Sequence, residues 1–203
     1  MQGLLIAIDK VNTWIGKAFS WSIVAMTLAI TYEVFSRYVF SAPTSWAYDV
    51  SYMLYGTLFM MAGPYALARN GHVRGDFLYR KWPPRVQAAV NLTLYILFFF
   101  AAMLALIYSG WGFFKISYMF NEHSSFSPNG PPMWPFKMLI PLVGALMLLQ
   151  GLAESVRCVI CIRKGWWPQR LQDVEELEQR ILAEAAARRE AEAVTRREKG
   201  VRR

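Results

Sequence analysis

The chain has 203 residues, of which 55% are hydrophobic and 18% charged, and its formal net charge is +8. Uncharged stretches are long enough to cross about 30 Å of hydrocarbon, which excludes an ordinary soluble domain, where charged residues interrupt the apolar ones every few positions. The excess of Lys and Arg does not indicate nucleic-acid binding, because the basic residues flank the apolar stretches and no phosphate-binding motif accompanies them.

The N-terminal residues predict a helix at the membrane surface. The first apolar stretch, Leu4 to Ile8, is shorter than the apolar region of a signal peptide and ends at Asp9. Leu4, Ile8, Val11 and Ile15 recur at helical spacing. We therefore expect residues 1–13 to form an interfacial amphipathic segment that contacts membrane lipids.

Four membrane spans are predicted next, at about residues 14–40, 46–68, 86–114 and 135–162. The second span contains nineteen uncharged residues from Val50 to Ala68, and the third contains twenty-nine from Val86 to Phe114. Both stretches have the length that a transmembrane helix requires. The predicted fold is an all-α integral membrane protein, in which residues 14–165 form a transmembrane domain of four helices.

The distribution of Lys and Arg predicts the orientation of these spans. Residues 69–85 contain five of them and the segment from Arg157 onward contains twelve, whereas residues 41–48 contain none and residues 115–137 contain two. Cytoplasmic segments of membrane proteins carry the excess of positive charge. We therefore expect a multi-pass membrane protein with both termini in the cytoplasm.

The C-terminal residues 166–203 have a different character. They are rich in Ala, Glu and Arg, with Glu176 and Arg180 as the first of three Glu and Arg pairs spaced four residues apart. This order of charges stabilises a helix. The pattern predicts a cytoplasmic helix, and it leaves open whether this helix is solvated or lies on the membrane or a partner.

Residue types that carry chemistry are few. His72 and His123 fall in loops on opposite sides of the predicted membrane, so they cannot bind one haem or metal ion together. Cys158 and Cys161 form a C-x-x-C within an apolar run, which favours buried thiols over a redox or metal site. Catalytic motifs are lacking in the sequence, and we expect neither an enzyme nor a bound cofactor.

Two charged pairs lie within or beside the predicted spans. Glu33 and Arg37 are four residues apart and Glu154 and Arg157 three apart, so each pair shares one face of a helix. Two interpretations are open: a self-neutralising pair near the interface, or a polar contact with another membrane subunit. The central spans contain no substrate-sized polar cluster, which favours a scaffold over a transporter that works alone.

Several motifs together resemble one family. The run EVFSRYVF from Glu33 to Phe40, Trp46 and Asp49 at the start of the second span, and GHVRGD from Gly71 to Asp76 are similar to the small membrane subunit, DctQ-like, of tripartite ATP-independent periplasmic (TRAP) transporters. The loop from Ser127 to Pro135 and the run from Gln150 to Glu154 resemble a branch associated with mannitol or chloroaromatic compounds, and related to 2-oxo acid and lactate systems.

The resemblance implies a location in the bacterial inner membrane, together with partners and roles. A large membrane subunit would carry the sodium-coupled substrate site, a periplasmic substrate-binding protein would deliver the solute, and the small subunit would act as a fixed brace. Subunit-interface or structural roles are implied for residues at the outer end and in the inner loop, namely Glu33, Arg37, Trp46, Asp49, Gly71, His72, Arg74 and Asp76. Gly71 is also expected to adopt the positive φ that ends the second helix. The alternatives are a haem- or quinone-linked membrane anchor and a small autonomous channel or exporter.

Overall fold

The computed structural model describes residues 2–71, 81–127, 130–168, 170 and 182–185. This part of the chain is almost entirely α-helical, and its only β pairing is an isolated bridge between His123 and Pro132. The all-α prediction is confirmed for these residues. Most of the predicted C-terminal helix and the inner-loop residues His72, Arg74 and Asp76 lie outside the described residues, but residues 182–185 of the C-terminal segment are described and are helical.

The helices form four rods. Their bounds are α1 (Gln2–Ser20), α2 (Ser22–Tyr38), α3 (Ala47–Ala68), α4 (Pro84–Leu94), α5 (Phe100–Met119) and α6 (Trp134–Lys164). Trp21 alone separates α1 from α2, and a π-helical turn, Tyr95–Phe99, joins α4 to α5. The four rods are therefore α1–α2, α3, α4–α5 and α6.

Three rods are long and apolar enough to cross a membrane, namely Gln2–Tyr38, Pro84–Met119 and Trp134–Lys164. The remaining rod, α3, has 22 residues and coincides with the predicted second span, but it is not among the three. Each predicted span thus overlaps one rod, and the first rod also includes the residues before the predicted first span. The number of membrane crossings, four, stays a prediction.

The rods pack in the order α1–α2, α3, α6, α4–α5, with α1 also reaching α6. Because α6 contacts three other rods, it is the most buried of the candidate spans. The two outer rods expose large apolar side chains, such as Leu28 at 65% and Phe98 at 67%. A surface of this kind is expected where the solvent is lipid.

Helix α1 turns a polar face towards the other helices. Asp9 and Asn12 are completely buried, whereas Leu4 and Val11 of the predicted apolar stripe are exposed. A helix of a soluble protein has the opposite arrangement. The exposed stripe agrees with lipid contact, although the location of residues 1–13 at the membrane surface stays a prediction.

The residue with positive φ at the end of α3 is not Gly71, as the sequence predicts, but its neighbour. The N–H groups of Asn70 and Gly71 donate to the carbonyls of Leu67 at 3.2 Å and Ala66 at 2.8 Å. This is the Schellman arrangement, and its left-handed residue is Asn70, with φ of 53°. The positive φ therefore falls one residue before Gly71, since Asn also tolerates this conformation.

The contact between α5 and α6 depends on small residues. A Cβ atom added to Gly110 would lie 2.8 Å from the side chain of Ile140 and 3.1 Å from Cδ of Pro141. The backbone nitrogen of Pro141 would be only 3.2 Å away. Gly110 therefore sets how closely these two helices approach, as small residues commonly do between membrane helices.

We expect Gly110→Ala to lower the free energy of unfolding by about 1–3 kcal/mol, because the added methyl group overpacks a contact that includes rigid backbone. Gly112 provides a matched control in the same helix, since a Cβ atom there meets nothing within 4 Å. Gly112→Ala should be neutral or stabilising by up to about 1 kcal/mol. Unfolding of both variants in detergent, followed by circular dichroism, measures the difference, and equal effects would contradict the prediction.

Candidate functional site

A cluster of buried polar and charged side chains joins α1 to α6, and we call it the charge network. Its members are Asp9, Asn12, Gln150, Glu154, Arg157 and Arg170. The three members on α6 are spaced at i, i+4 and i+7, so they share one face of that helix. Asp9 and Asn12 share a face of α1 for the same reason, and Arg170 follows the end of α6.

Arg157 lies at the centre of the charge network and is completely buried. Its Nη2 atom donates to Oδ2 of Asp9 at 2.5 Å, and its Nη1 atom donates to Oδ1 of Asp9 at 3.1 Å. Nη1 also donates to Oε1 of Glu154 at 2.5 Å. The guanidinium group is thus bidentate to one carboxylate and bridges it to a second, which is the geometry that Arg provides and Lys does not.

Two amide side chains and a second arginine complete the charge network. Nδ2 of Asn12 donates to Oε1 of Gln150 at 2.7 Å, and Nε2 of Gln150 donates to Oδ1 of Asp9 at 2.8 Å. Nη2 of Arg170 donates to Oε2 of Glu154 at 2.7 Å. Asp9 and Glu154 therefore each accept hydrogen bonds from two different side chains.

The charges of the network cancel. Two carboxylates, Asp9 and Glu154, face two guanidinium groups, Arg157 and Arg170. An uncompensated charge in a lipid environment costs at least ~2.5–3.5 kcal/mol, so neutrality allows this group to be buried among apolar helices. The arrangement cannot supply a free charge to a substrate. It fastens the N-terminal helix and the segment after α6 to one face of α6.

The predicted pair of Glu33 and Arg37 forms at the opposite end of the rods. Nε of Arg37 donates to Oε1 of Glu33 at 2.9 Å, and Nη2 donates to the same oxygen at 2.5 Å. The other carboxylate oxygen accepts from the backbone N–H of Thr44 at 2.9 Å and from the Thr44 hydroxyl. Glu33 therefore also holds the turn between α2 and α3, a role that the sequence did not indicate.

Asp49 and Trp46 mark the start of α3, as predicted, and both have contacts within the chain. Asp49 is completely buried, and the Ser124 hydroxyl donates to its Oδ1 at 2.5 Å. This bond ties the loop between α5 and α6 to the first turn of α3. The ring of Trp46 stacks on Tyr32, with 5.9 Å between centroids. Both residues thus stabilise the turn and loop at this end.

A further ion pair anchors the same loop. Nζ of Lys137 contacts Oε2 of Glu122 and lies 4.0 Å from the centroid of the Phe113 ring. The hydrogen bond from Lys137 is the largest cause that holds the pKa of Glu122 below its ordinary value. Stabilisation by this carboxylate is therefore present at neutral pH and is lost as the pH falls through the folded-state pKa.

The two cysteines have the predicted environment. Cys158 and Cys161 are buried and unbridged, and they pack against Ala88 on α4. Leu92, Ile162 and Trp167 surround this cluster. The thiols therefore contribute apolar contacts between α4 and α6.

Sequence reasoning found the pair of Glu154 and Arg157 but missed the other members of the charge network. Gln150 carried a signal, because it lies on the same helical face as that pair. Asp9 carried a weaker signal, as a charged residue between apolar ones. Nothing in the local sequence indicates that Arg170 contacts Glu154.

The chain matches a known protein family. A sequence model of the DctQ component of tripartite ATP-independent periplasmic transporters matches residues 26–161, which is more than half of the chain. The curated proteins gave no match. The matched region contains Gln150, Glu154 and Arg157, whereas the other members of the charge network lie outside it.

We expect Asp9→Asn to destabilise the folded chain by about 3–5 kcal/mol, because it leaves a buried guanidinium group without its bidentate partner. The neighbouring Lys10 is exposed, so Lys10→Gln serves as the control and should change stability by no more than about 0.5 kcal/mol. Thermal unfolding of the purified variants in one detergent measures both values. Equal stability of Asp9→Asn and the parent chain would show that the charge network does not hold α1.

Proposed function

Since the chain belongs to the DctQ family of TRAP transporter components, we propose that it is the small permease subunit that braces a large membrane subunit during sodium-coupled uptake of an organic acid. The periplasmic substrate-binding protein delivers the solute to that large subunit. A 2-oxo acid, hydroxy acid or dicarboxylate is the substrate class that we propose from the resemblance of the loop before α6. The protein lies in the inner membrane, with both termini in the cytoplasm.

The charge network is the observation that carries the bracing role. It uses two carboxylates and two guanidinium groups to fix α1 to α6, and it keeps no charge free for a solute. Proteins that transport alone commonly place their polar site near the middle of the membrane, between broken helices. In this chain the buried ion pairs of the described residues connect helices and loops to one another, as a rigid support requires.

The rod α1–α2 is the face that we propose for the large subunit. Within α2 no residue is buried by the rest of the chain, although α3 packs along one side of it. Arg37 is 53% exposed in its side chain, and its counter-ion Glu33 is already bonded to Thr44. An arginine in this position can donate hydrogen bonds to a second carboxylate, supplied by a neighbouring membrane protein.

Arg37→Gln should lower copurification of the large subunit severalfold while leaving the unfolding temperature of this chain unchanged, because Glu33 keeps its bonds to Thr44. Lys115→Gln removes another exposed cation from α5 and should leave copurification unaffected. The yield of complex in mild detergent measures the effect. Parental yields with Arg37→Gln would place the interface on another surface.

Transport by reconstituted proteins tests the function itself. The purified chain alone should give no uptake in proteoliposomes, whereas the large subunit with its binding protein and a sodium gradient should transport only when this chain is present. Uptake of labelled organic acids is the measurement. Saturable uptake by this chain without partners would refute the bracing function and favour an autonomous transporter.

The proposed orientation is tested with single cysteines in a Cys158→Ala, Cys161→Ala background. Ser125→Cys, in the exposed loop between α5 and α6, should react with an impermeant maleimide in intact cells. Lys81→Cys, which is exposed before α4, should react only after the membrane is opened. The reverse pattern would overturn the orientation.

A further inference from the structure

A groove runs along the face of α6 that points away from the charge network. It has a volume of about 470 Å³ and is lined by Leu152, Ser155, Val156, Val159, Ile160, Arg163 and Lys164. Leu152 and Val159 are 47% and 39% exposed, so the described helices leave this stripe uncovered. The Ser155 hydroxyl donates to the carbonyl of Gly151 at 2.9 Å, which leaves the walls of the groove apolar.

Two cations stand at one end of the groove. Arg163 and Lys164 occupy the last turn of α6, where positive charge is favourable, and Gly165 ends the helix with φ of 81°. Neither side chain has a carboxylate partner among the described residues. Nζ of Lys164 lies 5.3 Å from the centroid of the Trp166 ring, and Trp is typical of the membrane–water interface.

The dimensions of the groove fit one leaflet of a bilayer. From Leu152 to Lys164 the helix rises roughly 18 Å. Half of a hydrocarbon core is about 15 Å thick. The groove therefore extends from the membrane interface at Lys164 to near the midplane of the bilayer at Leu152. A transmembrane helix of another protein would instead need a groove along the full thickness of the membrane.

We propose that this groove binds an anionic phospholipid, with one acyl chain against Leu152, Val156 and Val159 and the phosphate group at Arg163 and Lys164. Basic side chains at the end of an apolar groove recognise an acidic headgroup through charge and hydrogen bonds. The site does not depend on the proposed transport function. It requires only that α6 crosses the membrane.

The pairing within the charge network explains why the phosphate group is bound by Arg163 and Lys164 and not by the other arginines near this end of α6. Arg157 and Arg170 are nearby in sequence, but both are already paired with carboxylates. Arg163 lies about 120° around α6 from Arg157, as six residues of helix place it. The guanidinium groups of the charge network are thus neutralised within the protein, whereas Arg163 and Lys164 line the end of the groove without a carboxylate partner among the described residues.

Native mass spectrometry of the full chain, with phosphatidylglycerol or phosphatidylcholine added in detergent, tests the proposal. Phosphatidylglycerol should bind in a 1:1 complex more tightly than phosphatidylcholine. The double change Arg163→Gln with Lys164→Gln should weaken phosphatidylglycerol binding roughly 30-fold, since the two cations near the headgroup contribute similar amounts of binding free energy. Val159→Trp, which fills the groove and keeps both charges, should also weaken it.

The matched control removes two other exposed cations, Lys10 and Lys17, and should leave lipid binding unchanged. Equal loss in this control, equal binding of phosphatidylcholine, or full binding by Val159→Trp would each overturn a specific site. The chain's own acidic residues Asp173, Glu175 and Glu176 are the competing occupant. Phosphatidylglycerol binding that appears only after these three are neutralised would also overturn the proposal.

Discussion

The packing of α1 and of the segment after α6 depends on the neutralisation of the buried charge of Arg157. A completely buried guanidinium group among apolar helices is tolerated only when carboxylates and hydrogen-bond acceptors surround it. Asp9 supplies one carboxylate, so α1 must pack with its polar face inward and its apolar residues outward. Glu154 supplies the other and in turn requires Arg170, which fastens the segment after α6.

The two ends of the rods are held in different ways. At the end that carries the charge network, side chains far apart in sequence meet in a largely buried cluster. At the other end the ion pairs Glu33–Arg37 and Glu122–Lys137 are partly exposed. Each anchors a loop, because Glu33 also accepts hydrogen bonds from Thr44 and Glu122 lies in the loop between α5 and α6. A buried neutral cluster favours one rigid packing of helices, whereas exposed pairs contribute little stability each. The first arrangement suits a brace, and the second suits a surface that meets partners.

Much of the fold follows from the sequence, because membrane helices are specified by local composition. The approximate positions of the rods and the pairs Glu33–Arg37 and Glu154–Arg157 needed only hydropathy and helical spacing. The bond between Asp9 and Arg157 joins residues 148 positions apart, and periodicity identifies a helix face without identifying what faces it. The Asn70 turn was misplaced by one residue because Asn and Gly both accept a left-handed conformation.

The separation of Asp9 from Arg157 in the sequence also determines when their ion pair can form during biosynthesis. The carboxylate is translated near the start of the chain, and its counter-ion follows 148 residues later. At ~5–20 residues per second, Asp9 waits roughly 7–30 s for Arg157 to leave the ribosome. During that interval α1 has no buried partner for its charge and stays in contact with water or headgroups. Docking of the first helix is therefore a late event, which follows synthesis of α6.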